Sequence, residues 1–219
     1  MKIDLRIILV LFFLPVTAFA QHDVDYFEGS IEYLITYESH LEGVSADQLK
    51  MLKGAEMIFS VKNGNTSRAY YDEFHHLIEK KIFLTQSCRN YQWSVHNDST
   101  IAVDPVRNTY NTLEFKLLPD TTIDGLILKG IFLVLQSRNE KNATPVSFTY
   151  YFYQDLKADP HWTSCIKDGE WGRALKQMKS WAYWYKVDYP GFYSAVFSAT
   201  RINRTSLQDI VFQVDAIMK

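Results

Sequence analysis

Residues of alternating polarity recur along most of this 219-residue chain. In the segment 31–37, Ile31, Tyr33, Ile35 and Tyr37 hold the odd positions, and polar residues hold most of those between. Successive side chains of a β-strand point to opposite faces, so such a row lines a single surface. This periodicity predicts many short strands, each with one covered face. The same pattern returns at 57–61, 91–95, 113–117, 146–152 and 181–187.

Turn-forming residues separate these rows. Lys62–Asn65 has the sequence Lys-Asn-Gly-Asn and predicts a hairpin turn, because Asn and Gly tolerate positive φ. Further breaks are predicted at His96–Ser99, Asp104–Pro105, Pro119–Asp120 and Tyr189–Gly191. Strands joined by tight hairpins are antiparallel. Many such strands at short spacing are typical of a sandwich or barrel and not of a parallel α/β sheet.

Two short segments have helical spacing instead of alternation. Ser45–Gln48 has the pattern of a capping box, in which the Ser hydroxyl and the Gln amide satisfy exposed backbone donors. This helix is predicted to stop at Gly54. A second helix is predicted from Glu170 to about Lys179, where apolar residues recur at helical spacing. The preceding stretch is less regular, and we expect a long loop there.

The first twenty residues have the three-part pattern of a secretory signal peptide. A basic start is followed by the apolar run Ile7–Phe13 and then by Ala18, Phe19 and Ala20 before Gln21. The apolar run is well short of the roughly 20 residues that a membrane-spanning helix needs. We therefore predict a signal peptide at 1–20, a single β-rich domain at 21–219, and a periplasmic or secreted location without a transmembrane segment in the mature chain.

Charge and cysteine content further restrict the class of protein to which the chain can belong. The formal net charge of −2 lacks the basic footprint of a nucleic-acid-binding protein. The two cysteines are Cys88 and Cys165. In an oxidising compartment they could form a disulfide. The alternative is two buried thiols that pack as small apolar residues.

Searches for catalytic and metal-binding motifs find little. The chain has no nucleophile elbow, no glycine-rich phosphate loop and no Cys-x-x-Cys pair. We therefore predict no catalytic residue and no cofactor. Asp72, Glu73, His75, His76 and Glu79 have the chemistry of metal ligands. Adjacent histidines on a strand point to opposite faces, so we expect no metal site there.

Acidic residues and tryptophans are concentrated in the segment 155–170 and just after it. Carboxylate pairs for glycoside hydrolysis are assembled in space, so this segment could form a sugar site. The alternative is a solvated loop anchored by its tryptophans. The residues concerned are Asp155, Asp159, Asp168 and Glu170 with Trp162 and Trp171.

Aromatic residues offer a second candidate site. On a curved sheet, seven of them could line a concave apolar pocket, which a few polar groups would complete. The alternative is an ordinary packed core, in which aromatic residues are also abundant. The seven are Phe83, Trp93, Phe115, Phe132, Phe152, Trp181 and Tyr183.

Several short motifs follow one another in a recognisable order. They are Phe27–Tyr33, with the pattern F-x-G-x-I-x-Y, then Asp120–Gly125, Tyr151–Leu156, Ala199–Ile202 and Ile210–Val214. In this order the chain resembles exported families of Bacteroidota bacteria, of the DUF4412 and GLPGLI type. The resemblance implies the fold of the lipoprotein carriers LolA and LolB, an incomplete β-barrel with a helical lid over an apolar hollow.

Together these observations predict a mainly β fold, with a curved antiparallel sheet closed into an incomplete barrel and one or two short helices on its concave side. The leading functional prediction is a non-enzymatic exported protein that binds a hydrophobic ligand, such as a lipid or acyl chain. Two alternatives remain open. One is an envelope interaction or accessory protein whose own side chains fill the hollow, and the other is a carbohydrate-active hydrolase that uses residues 155–170.

Overall fold

The computed structural model describes residues 25–103, 110–138, 143–165 and 169–214. Eleven strands form one antiparallel sheet in the order β6-β5-β4-β3-β2-β1-β11-β10-β9-β8-β7. The mainly β, curved antiparallel fold is confirmed, and the sheet is open: in the described part of the chain no pairing joins β6 to β7.

Within the described ranges, the first half of the chain contains six strands and one helix. They are β1 (Gly29–Ser39), α1 (Ala46–Lys53), β2 (Glu56–Lys62), β3 (Asn65–Tyr71), β4 (Leu77–Leu84), β5 (Arg89–Ser94) and β6 (Asn97–Val103). The second half adds five strands, a helix and two 3₁₀ turns. They are β7 (Tyr110–Ile123), β8 (Leu126–Ser137), β9 (Val146–Lys157), the first 3₁₀ turn (Pro160–Thr163), α2 (Gly169–Met178), β10 (Ser180–Tyr189), β11 (Tyr193–Asn203) and the second 3₁₀ turn (Asp209–Phe212).

Two predicted features lie outside the described residues. These are the signal peptide at 1–20 and the break at Asp104–Pro105. Both stay predictions. Among the residues that are described, no helix is long and apolar enough to cross a membrane.

The sheet consists of two meanders. Strands β1 to β6 pair in sequence order, and so do β7 to β11. The two meanders meet in the middle of the sheet, where β1 pairs with β11 from Ser30↔Asn203 to Ser39↔Tyr193. The first and last strands are therefore central, and the strands from the middle of the chain are the two edges.

Strong curvature follows from this order. A flat sheet of eleven strands would be about 48 Å wide, yet only residues 104–109 join edge strand β6 to edge strand β7. From Val103 to Tyr110 the chain can span at most about 25 Å. In agreement, the ring centroids of Phe59 on β2 and Trp181 on β10 are 5.0 Å apart, although β1 and β11 lie between their strands.

The concave face, which we call the inner face, contains the main core. The odd-numbered row of β1 predicted from the sequence lies here: Ile31, Tyr33 and Ile35 are almost fully buried. Cross-strand partners share a face, so the register extends this face to Phe59 on β2 and Phe197 on β11. Burial of these apolar surfaces is the main source of stability.

One end of the sheet, which we call the packed end, lies where β1 begins and β9 finishes. Helix α2 packs there with Ala174 and Leu175 fully buried in the core. Cys88, in the β4–β5 turn, forms a disulfide with Cys165, which follows the first 3₁₀ turn. The sequence separation of 77 residues makes this a long-range link. Helix, turn and disulfide together close this end.

A tryptophan ties the first 3₁₀ turn to the β2–β3 hairpin at the packed end. The ring of Trp162 lies 5.3 Å from that of Tyr26, with the planes inclined by 58°, and it packs against Gly64. A Cβ added to Gly64 would be 2.5 Å from Trp162 Cγ, and the φ of Gly64 is +76°. Glycine is needed here for both the turn and the close approach.

The C-terminal residues 204–213 cover part of the outer, convex face. Lys62 Nζ donates to Leu207 O at 2.7 Å and pairs with Asp209 Oδ1 at 2.8 Å. Phe212 is buried in this segment, which contacts β3 and β4. This cover explains how Ile82, on the convex face of β4, can be fully buried.

Most predicted local features are confirmed, with two differences. The capping box of Ser45, the second helix and the turns at Lys62–Asn65 and Tyr189–Gly191 are present. The turn predicted at His96–Ser99 lies slightly earlier, because β6 already begins at Asn97. The break predicted at Pro119–Asp120 is wrong: both residues lie inside β7, where a register shift occurs. Because β7 is an edge strand, the missing N–H of proline costs little there.

Candidate functional site

A cavity of about 340 Å³ lies on the inner face, away from the packed end. We call this part of the sheet the cavity end; it contains α1 and the β10–β11 turn. The volume falls in the range of small-molecule sites, about 300–1,000 Å³. Its lining comprises Tyr37, Lys53, Arg68, Tyr70, Glu79, Lys81, Gln92, Phe148, Tyr150, Tyr185, Val187, Tyr189, Tyr193, Ala195 and Phe197.

One wall of the cavity is aromatic and apolar, and it belongs to β9, β10 and β11. The rings of Tyr185 and Phe197 stack with centroids 4.2 Å apart and planes inclined by 8°. Phe148 and Tyr150 lie parallel at 6.1 Å, and Tyr150 approaches Tyr185 at 5.4 Å. These contacts form an aromatic surface against which an apolar ligand group could pack.

The facing wall is charged and belongs to β3, β4 and β5. Arg68 and Lys81 are direct cross-strand partners. Lys81 Nζ lies 3.2 Å from Glu79 Oε2, and Gln92 Nε2 donates to Glu79 Oε1. With Lys53, which also lines the cavity, this wall has three cations and one carboxylate.

Register explains why these charges face inward. Phe59 on β2 pairs with Arg68, Arg68 pairs with Lys81, and Lys81 pairs with Gln92. Paired residues share a face, so the row that begins with a core phenylalanine continues as a row of polar side chains. The sheet thus turns from apolar to charged along one line across its inner face.

Several tyrosines also line the cavity. Tyr37 donates to Gly54 O at 3.0 Å, next to the end of α1. The ring of Tyr193 contacts those of Tyr37 and Tyr189 in tilted arrangements, at centroid distances of 5.9 Å and 5.0 Å. Burial raises the pKa of Tyr37 and of Tyr193, and the neighbouring Tyr70 and Glu79 raise them further. These hydroxyls therefore stay protonated at neutral pH, and the proton of Tyr37 is used in the bond to Gly54 O.

None of the seven aromatic residues predicted as lining is among the residues that line this cavity. Phe152, Trp181 and Tyr183 lie in the core cluster toward the packed end. Phe83 is buried on β4, opposite Thr66. Phe115 packs at the edge of the core, with the guanidinium of Arg173 4.2 Å from its ring.

Two of the seven face away from the others. Trp93 pairs with Lys80, which alternates with the inward-facing Lys81, so Trp93 is on the outer face. Phe132 pairs with Thr149, between the inward-facing Phe148 and Tyr150, and is on the outer face too. The structure therefore does not bring the seven predicted residues into one wall.

The histidine and acidic cluster is divided between separate pairs. His75 Nδ1 lies 3.2 Å from Glu56 Oε2, whereas His76 Nδ1 lies 3.0 Å from Asp72 Oδ2. Asp72 also accepts from the backbone N–H groups of Phe74 and His76 at 2.8 Å each. Within the described ranges, no group of three potential ligands could hold a metal ion.

Two residues of the acidic segment have local structural partners. Asp159 Oδ1 accepts from His161 N at 2.8 Å and so caps the first 3₁₀ turn. Asp155 Oδ2 accepts from Tyr153 O–H at 2.7 Å. Asp168, and the side chains of Glu170 and Trp171, lie outside the described part of the structure. A sugar site in this segment stays a prediction.

Comparisons with known proteins give only distant likenesses. No family model and no curated protein matches the chain. Among solved structures, the lipoprotein LppX of Mycobacterium tuberculosis has a TM-score of 0.38 at 8% identity, over 82% of this chain and 89% of that one. LprF of Mycobacterium bovis has a TM-score of 0.36 at 8% identity, with coverages of 82% and 88%.

A DUF1329 family protein from Desulfovibrio piger is also similar, with a TM-score of 0.28 at 11% identity over 88% of this chain and 92% of that one. At such low structural overlap, function has to be inferred from the geometry of the chain itself. Membership of the DUF4412 or GLPGLI type stays a prediction.

Proposed function

We propose that this chain is an exported, non-enzymatic protein that binds a hydrophobic or amphiphilic small molecule in the cavity between the aromatic and charged walls. The observation that carries the proposal is the cavity itself. It has a volume of about 340 Å³ and lies beside a densely packed cluster of buried aromatic and aliphatic side chains. Each Å² of apolar ligand surface removed from water contributes about 25 cal/mol to binding.

The chemistry of the lining supports binding without catalysis. The residues that line the cavity include no serine, cysteine, threonine or histidine, and their one carboxylate, Glu79, is held by Lys81 and Gln92. The Ser–His and Cys–His pairs that serve as activated nucleophiles in many hydrolases are therefore absent from this lining.

Two features support export. The predicted signal peptide would direct the chain out of the cytoplasm. A disulfide between Cys88 and Cys165 suits an oxidising compartment, since such bonds are rare in the cytosol.

Filling the cavity tests the proposal. Ala195 is a small residue in the lining. The substitution Ala195→Phe should fill the cavity and abolish binding of a neutral hydrophobic dye such as Nile red. Val196 is the matched control, because it is next in the sequence and faces the other side of β11. Val196→Phe should leave dye binding intact. If purified protein has no bound small molecule by native mass spectrometry and binds no dye, the proposal fails.

The interaction or accessory protein is the second candidate, and the packed end favours it. There Trp181, Phe152 and Leu175 fill the interior with their own side chains. This candidate predicts that Ala195→Phe, by filling the remaining space, raises the free energy of unfolding and changes no ligand binding.

A further inference from the structure

The charge of the cavity opposes the charge of the chain. The chain has a formal net charge of −2, yet the cavity is lined by Lys53, Arg68 and Lys81 with Glu79 as the one acidic residue. Three cations facing one carboxylate give the lining a net positive charge. This local excess attracts an anionic group into a partly desolvated space, where electrostatic interactions are stronger than in bulk water.

The two most inward cations lie side by side at a cost. Arg68 and Lys81 are directly opposite each other on adjacent strands, and like charges in this arrangement are destabilising. Glu79 is the carboxylate nearest to Lys81, and it also accepts from Gln92. An anion placed between Arg68 and Lys81 would lower this repulsion.

Aromatic rings orient both cations. The guanidinium carbon of Arg68 lies 6.0 Å from the ring centroid of Phe59, and Lys81 Nζ lies 5.5 Å from that of Tyr70. Cation–π contacts of this kind help to fix the position of a charged side chain. A guanidinium has five such donors in a fork that fits a carboxylate or a phosphate.

We propose that the ligand is an anionic amphiphile with one apolar chain or ring system, whose carboxylate or phosphate group binds between Arg68 and Lys81 while its apolar part packs against Tyr185 and Phe197. This inference rests on the proposed binding function and names its ligand class. The small volume of the cavity favours one chain over the several long chains of a membrane lipid.

Matched ligands test the head group. Decanoate, decyl phosphate and the neutral 1-decanol share one alkyl chain and differ in charge. Competition with Nile red, below the micelle concentration of each compound, gives their relative affinities. We expect at least one of the two anions to bind roughly tenfold or more tightly than the alcohol, as charge-assisted hydrogen bonds imply. A preference for one anion over the other identifies the head group.

Charge removal tests the site. Arg68→Met/Lys81→Met should abolish the preference for the anion while 1-decanol still binds. Lys81→Met alone should reduce the preference severalfold. Because the Lys81 side chain is 39% exposed, this single variant should fold even if the double variant does not. The control is Lys80→Met, whose side chain faces the opposite side of β4.

The outcomes separate this inference from the function on which it depends. If 1-decanol binds as tightly as the anions, or if the preference survives removal of both cations, the anionic ligand class is wrong and a hydrophobic ligand site remains. If none of the three compounds competes with Nile red and Nile red itself does not bind, the proposed function fails as well.

Discussion

The two ends of the inner face use similar side chains for different purposes. At the packed end, Phe152, Trp181 and Leu175 are buried against one another. At the cavity end, Phe148 and Phe197 are also buried, yet each has one side on an empty space of about 340 Å³. Rings that are packed on all sides stabilise the fold. Rings that are packed on one side, with the other side on the cavity, provide a binding surface. The same strands β9 to β11 carry out both roles.

The largest expected difference comes from two phenylalanines on one strand. Phe152 and Phe148 share the inner face of β9. Phe152→Ala should lower the free energy of unfolding by about 3–5 kcal/mol, because it leaves a void in a filled core. Phe148→Ala should cost roughly half as much, because its ring already has fewer packing partners on the cavity side. Denaturant unfolding measures both, and equal losses would contradict the division into two ends.

Removing the disulfide should act on the packed end alone. We expect Cys88→Ala/Cys165→Ala to lower the free energy of unfolding by about 2–4 kcal/mol, because the bond closes a long loop in the unfolded chain. Dye affinity at the cavity end should stay unchanged. Treatment of the parent protein with a reductant provides the control. Loss of dye binding upon reduction would show that the two ends are coupled.

A buried hydroxyl provides a smaller effect that depends on pH. Tyr33 O–H donates to Ala182 O in the core. Tyr33→Phe should cost about 1–3 kcal/mol at neutral pH, because a buried carbonyl loses its partner. Tyr37→Phe is the matched variant at the cavity end, where the acceptor Gly54 O is only partly buried, and it should cost less.

The pH dependence of this effect has a definite sign. Burial raises the pKa of Tyr33 above its ordinary value of 10.0. A group whose pKa is raised on folding stabilises the fold fully below the unfolded pKa and loses that contribution as the pH rises further. The difference in unfolding free energy between the parent protein and Tyr33→Phe should therefore narrow above pH 10. A difference that widens with pH would contradict burial of the hydroxyl.

The smallest expected effect concerns helix α1 at the cavity end. Ser45 Oγ accepts from Gln48 N at 3.2 Å, and Gln48 Oε1 accepts from Ser45 N at 2.8 Å. Ser45→Ala should lower the free energy of unfolding by about 1 kcal/mol through loss of this cap. The exposed Ser206 provides a control, and Ser206→Ala should be neutral. An effect above 3 kcal/mol would mean that Ser45 has a larger role than capping.

Local features of the fold could be predicted because short-range chemistry determines them. The odd-numbered row of β1 alternates so clearly that its buried face was predictable, and Ser45 with Gln48 is sufficient to start α1. Pro119 was misjudged, because its tolerance within β7 depends on that strand lying at the edge of the sheet. The edge position is a property of the whole topology and not of neighbouring residues.

The cavity could not be predicted in the same way. Alternation separates two faces of a strand, but long-range pairing decides which face is concave, and this pairing puts Trp93 and Phe132 on the outer face. One feature of the sequence nevertheless indicates the cavity. Arg68 lies between Thr66 and Tyr70 in one row, so a charge occupies a position whose partners on β2 are apolar. In the structure this inward-facing charge lines the cavity.

The central pairing of β1 with β11 also determines when the sheet can be completed. Strand β1 is synthesised first and β11 last, so the middle of the sheet has to wait for the final strand, while each meander can form from contacts close in sequence. Until then one edge of β1 exposes unpaired backbone groups, which are prone to aggregate. A chain that stops before Tyr193 lacks β11, so its two meanders would not be joined by the β1–β11 pairing. We expect such a chain to be degraded instead of folding.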